Sequence, residues 1–323
     1  MPGVDVLLVS AANTTGWRVA TESLAAAVRR AGATAEVAAA PPSRRVRTFA
    51  LTDLVQALDA RSAALEGIAR HQPRALVYCS ITAALAWPRP GAIFLDSLAV
   101  ENRPGRHGVW QRTLERRRLA QAPLVLAMSE RSLDPLRGAR PETVVVPVPV
   151  EILDGGSERD VAAVAYTGDP VKRRLDLILR AWASARREGE TLVVAGTELP
   201  DPPTGVRGAG RLTPAQFRGL LARSRAFVTA ARREDYGIAA LEALGCGCQL
   251  VTTPSPGPYP ALDLARRLDP RLVSEDLAAA IRIALDDPLP GYARRAAELL
   301  APFTPQAVDR TVGERVLPRL LRK

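Results

Sequence analysis

Short apolar runs of buried-strand type recur along this chain, and most are followed by a stretch of helical periodicity. In the first half the runs are Val4–Val9, Ala35–Ala39, Ala75–Cys79, Ala92–Leu95 and Leu124–Met128. Val19–Ala31 carries Leu24, Ala27, Val28 and Ala31 at helical spacing, with Gly32 as a stop, and Leu51–Ala69 is helical by the same pattern. Thr143–Val150 is extended, because its prolines exclude a helix. The polar, Gly-rich segment Glu151–Asp160 has the composition of a linker. The alternation then restarts. Val161–Tyr166, Thr191–Ala195, Ala226–Thr229 and Gln249–Thr252 have strand character; Leu175–Arg187, Pro214–Ser224 with Thr213 as its cap, and Ile238–Leu244 have helix character. A last helix is expected over Val308–Leu321, with Pro318 kinking or ending it. Strands alternating with helices specify an α/β fold, a doubly wound parallel sheet with helical crossovers.

The length of 323 residues suits two such domains, at roughly 150 residues each. A hydrophobic content of 47% with 24% charged residues supports a sizeable core and excludes a disordered chain. No apolar run reaches the length of about 18 residues that a membrane-spanning helix needs. The first residues are strand-like and lack a basic region, so no secretory signal is expected, and a cytoplasmic location follows. Cys79, Cys246 and Cys248 are too few for a disulfide scaffold. Cys246 and Cys248 have no second pair, and His71 and His107 are far off in sequence, so no metal site is expected. The glycines around them mark a helix stop.

The net charge is +10, and all but two of the basic residues are arginine. The abundance of Ala, Val, Leu and Pro beside arginine matches a GC-rich coding bias, which inflates arginine independently of function. Nucleic acid is therefore not expected as a partner, and the basic surface is left for peripheral contact with anionic membrane at its inner face. The same bias singles out Lys172, the one lysine besides the terminal Lys323.

Four stretches carry candidate chemistry. The segment Glu234–Glu242 (EDYGIAALE) follows a strand and opens a helix near Gly237. This places Glu234 at the carboxyl edge of a parallel sheet, where open α/β sheets bind ligands. The N–H groups of Tyr236, Gly237, Ile238 and Ala239 can face an anion. Glu242, farther along, can accept two hydrogen bonds from a diol such as ribose; both glutamates also suit ordinary helix charges. Thr167–Arg174 (TGDPVKRR) places Gly168 and a basic cluster between a strand and a helix, a phosphate-binding arrangement that equally fits a solvated face. Glu101–Trp110, after Asp96 and Ser97, is a Gly/Pro-broken loop with Arg103, Arg106 and His107. The loop Ser10–Gly16 ends the first strand.

In this order the motifs of Val161–Pro258 resemble those of the retaining nucleotide-sugar glycosyltransferases of family 4. The stretch with Glu234 and Glu242 looks like that family's E-x7-E signature. The resemblance implies a GT-B fold, two Rossmann-like domains facing a central cleft. Residues 1–152 would form the acceptor domain, 153–305 the nucleotide-sugar donor domain, and 306–323 a helix packing back on the first. It implies that Glu242 binds the ribose, that Glu234 lies near the donor sugar, and that Tyr236, Gly237 and Ile238 meet the sugar and diphosphate with Gly168. Lys172 or Arg173 would hold the diphosphate, the register within Lys172–Arg174 being open. Gly16, Asp96, Ser97, Arg106 and His107 are the acceptor-side candidates. The implied activity is metal-independent transfer of a hexosyl group from UDP- or GDP-sugar to an acceptor hydroxyl, with the nucleotide sugar as co-substrate and no cofactor. The acceptor can be a small molecule, a glycan or a lipid-linked sugar. The chain departs from the family in three places. Asp169 stands where an arginine is common, TPSPGPYPAL supplies Gly257 without a Gly-Gly pair or a following acid, and Asp96-Ser97 stands where a histidine is common. A non-hydrolysing nucleotide-sugar epimerase and a non-catalytic nucleotide-sugar or polyanion binder remain as alternatives.

Overall fold

The computed structural model describes residues 3–11, 14–41, 48–136, 141–153 and 158–322, with only the backbone at Phe49 and His107. Residue 13 and part of the expected linker, 154–157, lie outside the described residues. Contacts divide the chain into two units: Met1–Pro149 with Pro305–Lys323, and Val150–Thr304.

The first unit is built on six parallel strands: β1 (Val6–Ser10), β2 (Ala35–Ala39), β3 (Ala75–Cys79), β4 (Ala92–Leu95), β5 (Val125–Ala127) and β6 (Thr143–Val145), ordered β2-β1-β3-β4-β5-β6. Every residue of β1, β3, β4 and β5 is buried. This is why they appear in the sequence as unbroken apolar runs rather than alternating ones. Among the described residues the helices between these strands are α1 (Thr15–Arg30), α2 (Phe49–His71), α3 (Ile81–Leu85), α4 (Ala99–Asn102) and α5 (Val109–Gln121). Thr14 and Thr48 open α1 and α2 by accepting the Trp17 and Leu51 N–H groups, which satisfies donors that the first helical turn leaves orphaned.

The second unit is a five-stranded parallel sheet: β7 (Val161–Tyr166), β8 (Leu192–Ala195), β9 (Val206–Gly210), β10 (Ser224–Thr229) and β11 (Gln249–Thr252), ordered β11-β10-β7-β8-β9. Its helices are α6 (Leu175–Ala185), α7 (Pro214–Ala222), α8 (Ile238–Gly245), α9 (Pro260–Leu268), α10 (Leu277–Asp286) and α11 (Tyr292–Leu299). Thr213 and Gln216 cap α7 reciprocally, as a capping box. Trp182 of α6 is fully buried and its indole N–H donates to the Gly205 carbonyl at 2.8 Å. From β7 the chain moves outward to β8 and β9, then returns to the other side of β7 for β10. The neighbours β7 and β10 thus flank the point where strand order reverses, which is where such sheets take ligands.

The end of the chain is α12 (Pro305–Thr311), a π-helical turn over Val312–Val316, and α13 (Leu317–Leu320). Pro318 does not end the helix. It has no N–H for the carbonyl four residues back and its ring crowds that carbonyl. The turn ahead of it widens to the five-residue register, with the Leu317 N–H on the Val312 carbonyl. Val308, Val312 and Val316 are buried, α12 touches α1, and Arg30 pairs with both Asp309 oxygens at 2.6 and 2.8 Å. No described helix is long and apolar enough to cross a membrane.

Trp182→Ala is expected to destabilise the protein by ~3–5 kcal/mol, the cost of emptying a buried aromatic site. Urea unfolding of the variant beside the parent measures it.

Candidate functional site

Tyr166 ends β7, and the turn that follows brings the basic cluster back over the sheet edge. The Asp169 carboxylate accepts the Lys172 N–H at 3.0 Å, and the Arg173 N–H donates to the Asp169 carbonyl at 2.9 Å. Asp169 therefore holds this turn together. Arg174 enters α6 in the left-handed conformation (φ 49°). Its guanidinium donates to the Ala230 carbonyl at 2.6 Å and to Thr253 Oγ1 at 3.1 Å. It ties together the loops that leave β10 and β11. Arg174 is thus engaged with the sheet-edge loops, whereas Lys172 and Arg173 both turn to Glu234.

Glu234 is buried in the loop between β10 and α8. The Arg173 guanidinium pairs with Glu234 Oε2, and Lys172 Nζ stands 4.0 Å from Oε1. Arg173 is itself largely shielded, and burial lowers its pKa from the usual arginine value; it remains charged at any physiological pH. Lys172 is the exposed partner. Arg173 and Glu234 border a small hollow with Tyr166, Thr229, Gly237 and Tyr259, at the β7–β10 reversal point.

The backbone of the Glu234 loop is held by two glycines. Gly237 precedes α8 at φ 82°, and a Cβ there would meet the Tyr259 ring at 2.4 Å. Gly257, at φ 113°, lets its segment approach so closely that a Cβ would lie 2.3 Å from the Glu234 carbonyl oxygen. The Glu234 N–H donates to the Pro256 carbonyl at 3.0 Å. Tyr259 is fully buried, and burial pushes its pKa up to about 12. Tyr166, Thr229 and Tyr259 were missed in the sequence. Only Tyr259 left a signal there, as an aromatic residue just beyond Gly257.

Ile238 begins α8, so its N–H and that of Ala239 have no partner within the helix. Tyr236 is buried. Gly168 lies in the exposed turn after β7. Glu242 does not border the hollow. It lies farther along α8, half-buried, and burial raises its pKa to about 7; Arg218 works against that shift and Glu151 adds to it. Its carboxylate takes no hydrogen bond among the described residues. Cys246 and Cys248 are buried thiols whose pKa values burial lifts to about 11 and about 12. Gly247 (φ 74°) turns the chain from α8 toward β11.

In the first unit Gly16 is exposed in the first turn of α1, beyond β1. Asp96 and Ser97 leave the end of β4. Ser97 is buried, donates to Asp96 Oδ1 at 3.3 Å and accepts from Asn102 Nδ2 at 2.8 Å. Arg106 and His107 fall in the 3-10 turn Arg106–Gly108, and the Arg106 side chain is exposed.

Solved structures resemble the chain over nearly its whole length. WaaG, a glycosyltransferase involved in lipopolysaccharide biosynthesis, is 14% identical with a TM-score of 0.68, covering 96% of this chain and 100% of that one. The sucrose-phosphate synthase of Thermosynechococcus elongatus is 13% identical with a TM-score of 0.67, covering 97% and 98%. Anabaena HepE, solved with UDP and glucose, is 13% identical with a TM-score of 0.62, covering 96% and 98%. These likenesses define the fold class, GT-B, with two parallel-sheet α/β domains. Residues 159–287 match the family model described as Glycosyl transferases group 1. Together the findings support a glycosyltransferase of GT-B type. No curated protein matches the sequence.

Because the Glu242 pKa is raised in the folded state, the neutral form is the one folding favours. Its stabilising effect is complete below the ordinary glutamate pKa of about 4.3 and is lost as pH rises through about 7. Glu242→Gln is expected to flatten the fall in stability between those limits, read from urea midpoints across the pH range.

Proposed function

We propose that this chain is a retaining glycosyltransferase that moves a hexosyl group from UDP- or GDP-sugar to an acceptor hydroxyl. Val150–Thr304 would be the donor unit and Met1–Pro149 with Pro305–Lys323 the acceptor unit. The observation that carries this reading is the convergence of Lys172, Arg173 and Glu234 at the β7–β10 reversal point, directly before the first N–H groups of α8, which have no partner within the helix. Two cations and a helix N-terminus suit a diphosphate. The family match over residues 159–287 spans all of these groups.

On this reading Lys172, Arg173, Gly168 and the amides of Tyr236, Gly237 and Ile238 hold the diphosphate. Negative charge grows on its bridging oxygen as the anomeric C–O bond breaks, so fixed positive groups act most strongly in the transition state. The acceptor oxygen bonds to the anomeric carbon on the face the diphosphate leaves, and the acceptor proton passes to a diphosphate oxygen. No metal is needed to balance this step. Glu234 lies beside the sugar and keeps Arg173 oriented before donor arrives. Glu242, half-buried and with no hydrogen bond among the described residues, accepts the ribose hydroxyls, whose donated hydrogen bonds favour its ionised form. Gly16, Asp96, Ser97, Arg106 and His107 stand on the acceptor unit. The location is cytoplasmic, with peripheral contact at the inner membrane face.

Glu242→Ala is expected to weaken UDP or GDP binding at least tenfold in a thermal-shift titration. Retained parental affinity for both overturns the donor-site assignment. Release of UDP or GDP from a nucleotide sugar should require an added acceptor. Conversion of the sugar nucleotide alone into an epimer would instead identify an epimerase.

A further inference from the structure

The first unit holds a second hollow, of about 30 Å³, among Asp53, Thr82, Asn102, Arg103, Gln111 and Glu115. It is assembled from the start of α2, from α3 and α4, which follow β3 and β4, and from α5. It therefore lies toward the carboxyl edge of this sheet, the edge at which open α/β sheets bind ligands. Asn102 links it through Ser97 to Asp96.

Its polar groups are fixed and incompletely matched. Asp53 is buried and accepts two hydrogen bonds from Arg103, at 2.7 and 3.1 Å, and a third from Gln111 Nε2. A carboxylate accepts only, so the Gln111 amide must present its nitrogen to Asp53. Gln111 Oε1 then faces the other way, buried and without a hydrogen-bond donor among the described residues. Glu115, one turn along the same helix face, is also buried; its Oε2 accepts the Ala99 N–H at 2.7 Å, and its Oε1 takes no hydrogen bond among the described residues. The backbone beside the hollow is strained. Ser80, at the start of α3, has φ 139° and ψ 158°, a region that almost only glycine visits and that other residues hold at a cost.

Gln111 Oε1, buried without a donor among the described residues, and the Glu115 carboxyl one turn along, with room for about two water-sized groups, suit a ligand bearing two adjacent O–H donors. We propose that this hollow is a recognition subsite for a vicinal hydroxyl pair of the acceptor sugar, one hydroxyl donating to Gln111 Oε1 and the other to Glu115 Oε1. The identification of the ligand as an acceptor rests on the glycosyltransferase reading above; the demand for paired donors rests on the hollow alone. An acceptor without a hydroxyl at this place leaves the buried Gln111 Oε1 unmatched, which makes the subsite selective.

The test is saturation-transfer NMR on the full chain with methyl α-D-glucopyranoside, methyl α-D-mannopyranoside and methyl α-D-galactopyranoside, with cyclohexanol as the control. At least one glycoside should receive saturation and cyclohexanol none. Glu115→Gln preserves shape and the Ala99 hydrogen bond but turns an N–H₂ donor toward the ligand. It should weaken glycoside binding at least tenfold while leaving UDP binding and the melting temperature unchanged. If that variant melts early, Gln111→Met, which keeps side-chain length and removes the Oε1 acceptor together with the hydrogen bond to Asp53, supplies a second comparison, with UDP binding again as the control. No transfer to any of the three glycosides, or equal binding by parent and variant, overturns the proposal and leaves a water site only. Glycoside binding that depends on Glu115 in a protein that binds neither UDP nor GDP upholds the subsite and counts against the donor reading instead.

Discussion

A carboxylate buried at the end of β10 cannot stand without a matching positive charge. Glu234 is in that position, and its pairing with Arg173 is the interaction around which the second unit's site is arranged. Taking both charges out of water is costly, and removing either partner leaves the other buried alone, which costs more. The surrounding chain is arranged to keep them together. Asp169 closes the turn that delivers Arg173, Arg174 fastens that turn to the loops leaving β10 and β11, and Pro256 accepts the Glu234 N–H. A pair that contributes little net stability still imposes one geometry, and a site for a charged ligand needs that geometry.

Space matters as much as charge there. Gly237 and Gly257 are both in the left-handed region, and each leaves room that a single methyl group would fill with a clash against Tyr259 or the Glu234 backbone. The buried Tyr259 ring takes up the volume that the absent Cβ of Gly237 frees. Charge brings Arg173 to Glu234, and these two glycines bring Glu234 to the mouth of the sheet. The TPSPGPYPAL segment thus supports the loop with one glycine, a proline carbonyl and an aromatic ring, although it lacks a Gly-Gly pair.

Much of the architecture was legible because parallel sheets bury both faces of their strands. Ala75–Cys79, Ala92–Leu95, Val161–Tyr166 and Gln249–Thr252 were readable to the residue from such runs, and the edge strand Ala35–Ala39 was readable although Glu36 interrupts it and most of it is not buried. The strand that escaped, β9, is an edge strand of sequence VRGAG, partly exposed and carrying two glycines, so it shows neither an apolar run nor alternation. Pro318 was legible as an obstacle to a helix. The π-turn that absorbs it was not, because that depends on Val308, Val312 and Val316 being buried on the first unit.

The chain by itself determined the α/β class, the place of Glu234 and Gly237 between a strand and a helix, and the candidacy of Lys172 and Arg173. Local spacing is enough for these, because strand and helix periodicities and loop-bound charges are properties of neighbouring residues. Only the tertiary structure decided which member of the basic triplet is structural, that Glu242 stands apart from the hollow with Glu234, and that Tyr166, Thr229 and Tyr259 border that hollow. Only it brought Asp53, Arg103, Gln111 and Glu115 together. The physical reason is the same in each case. Burial and pairing are set by segments distant in sequence, and a side chain's charge, partner and exposure follow from what the fold packs against it.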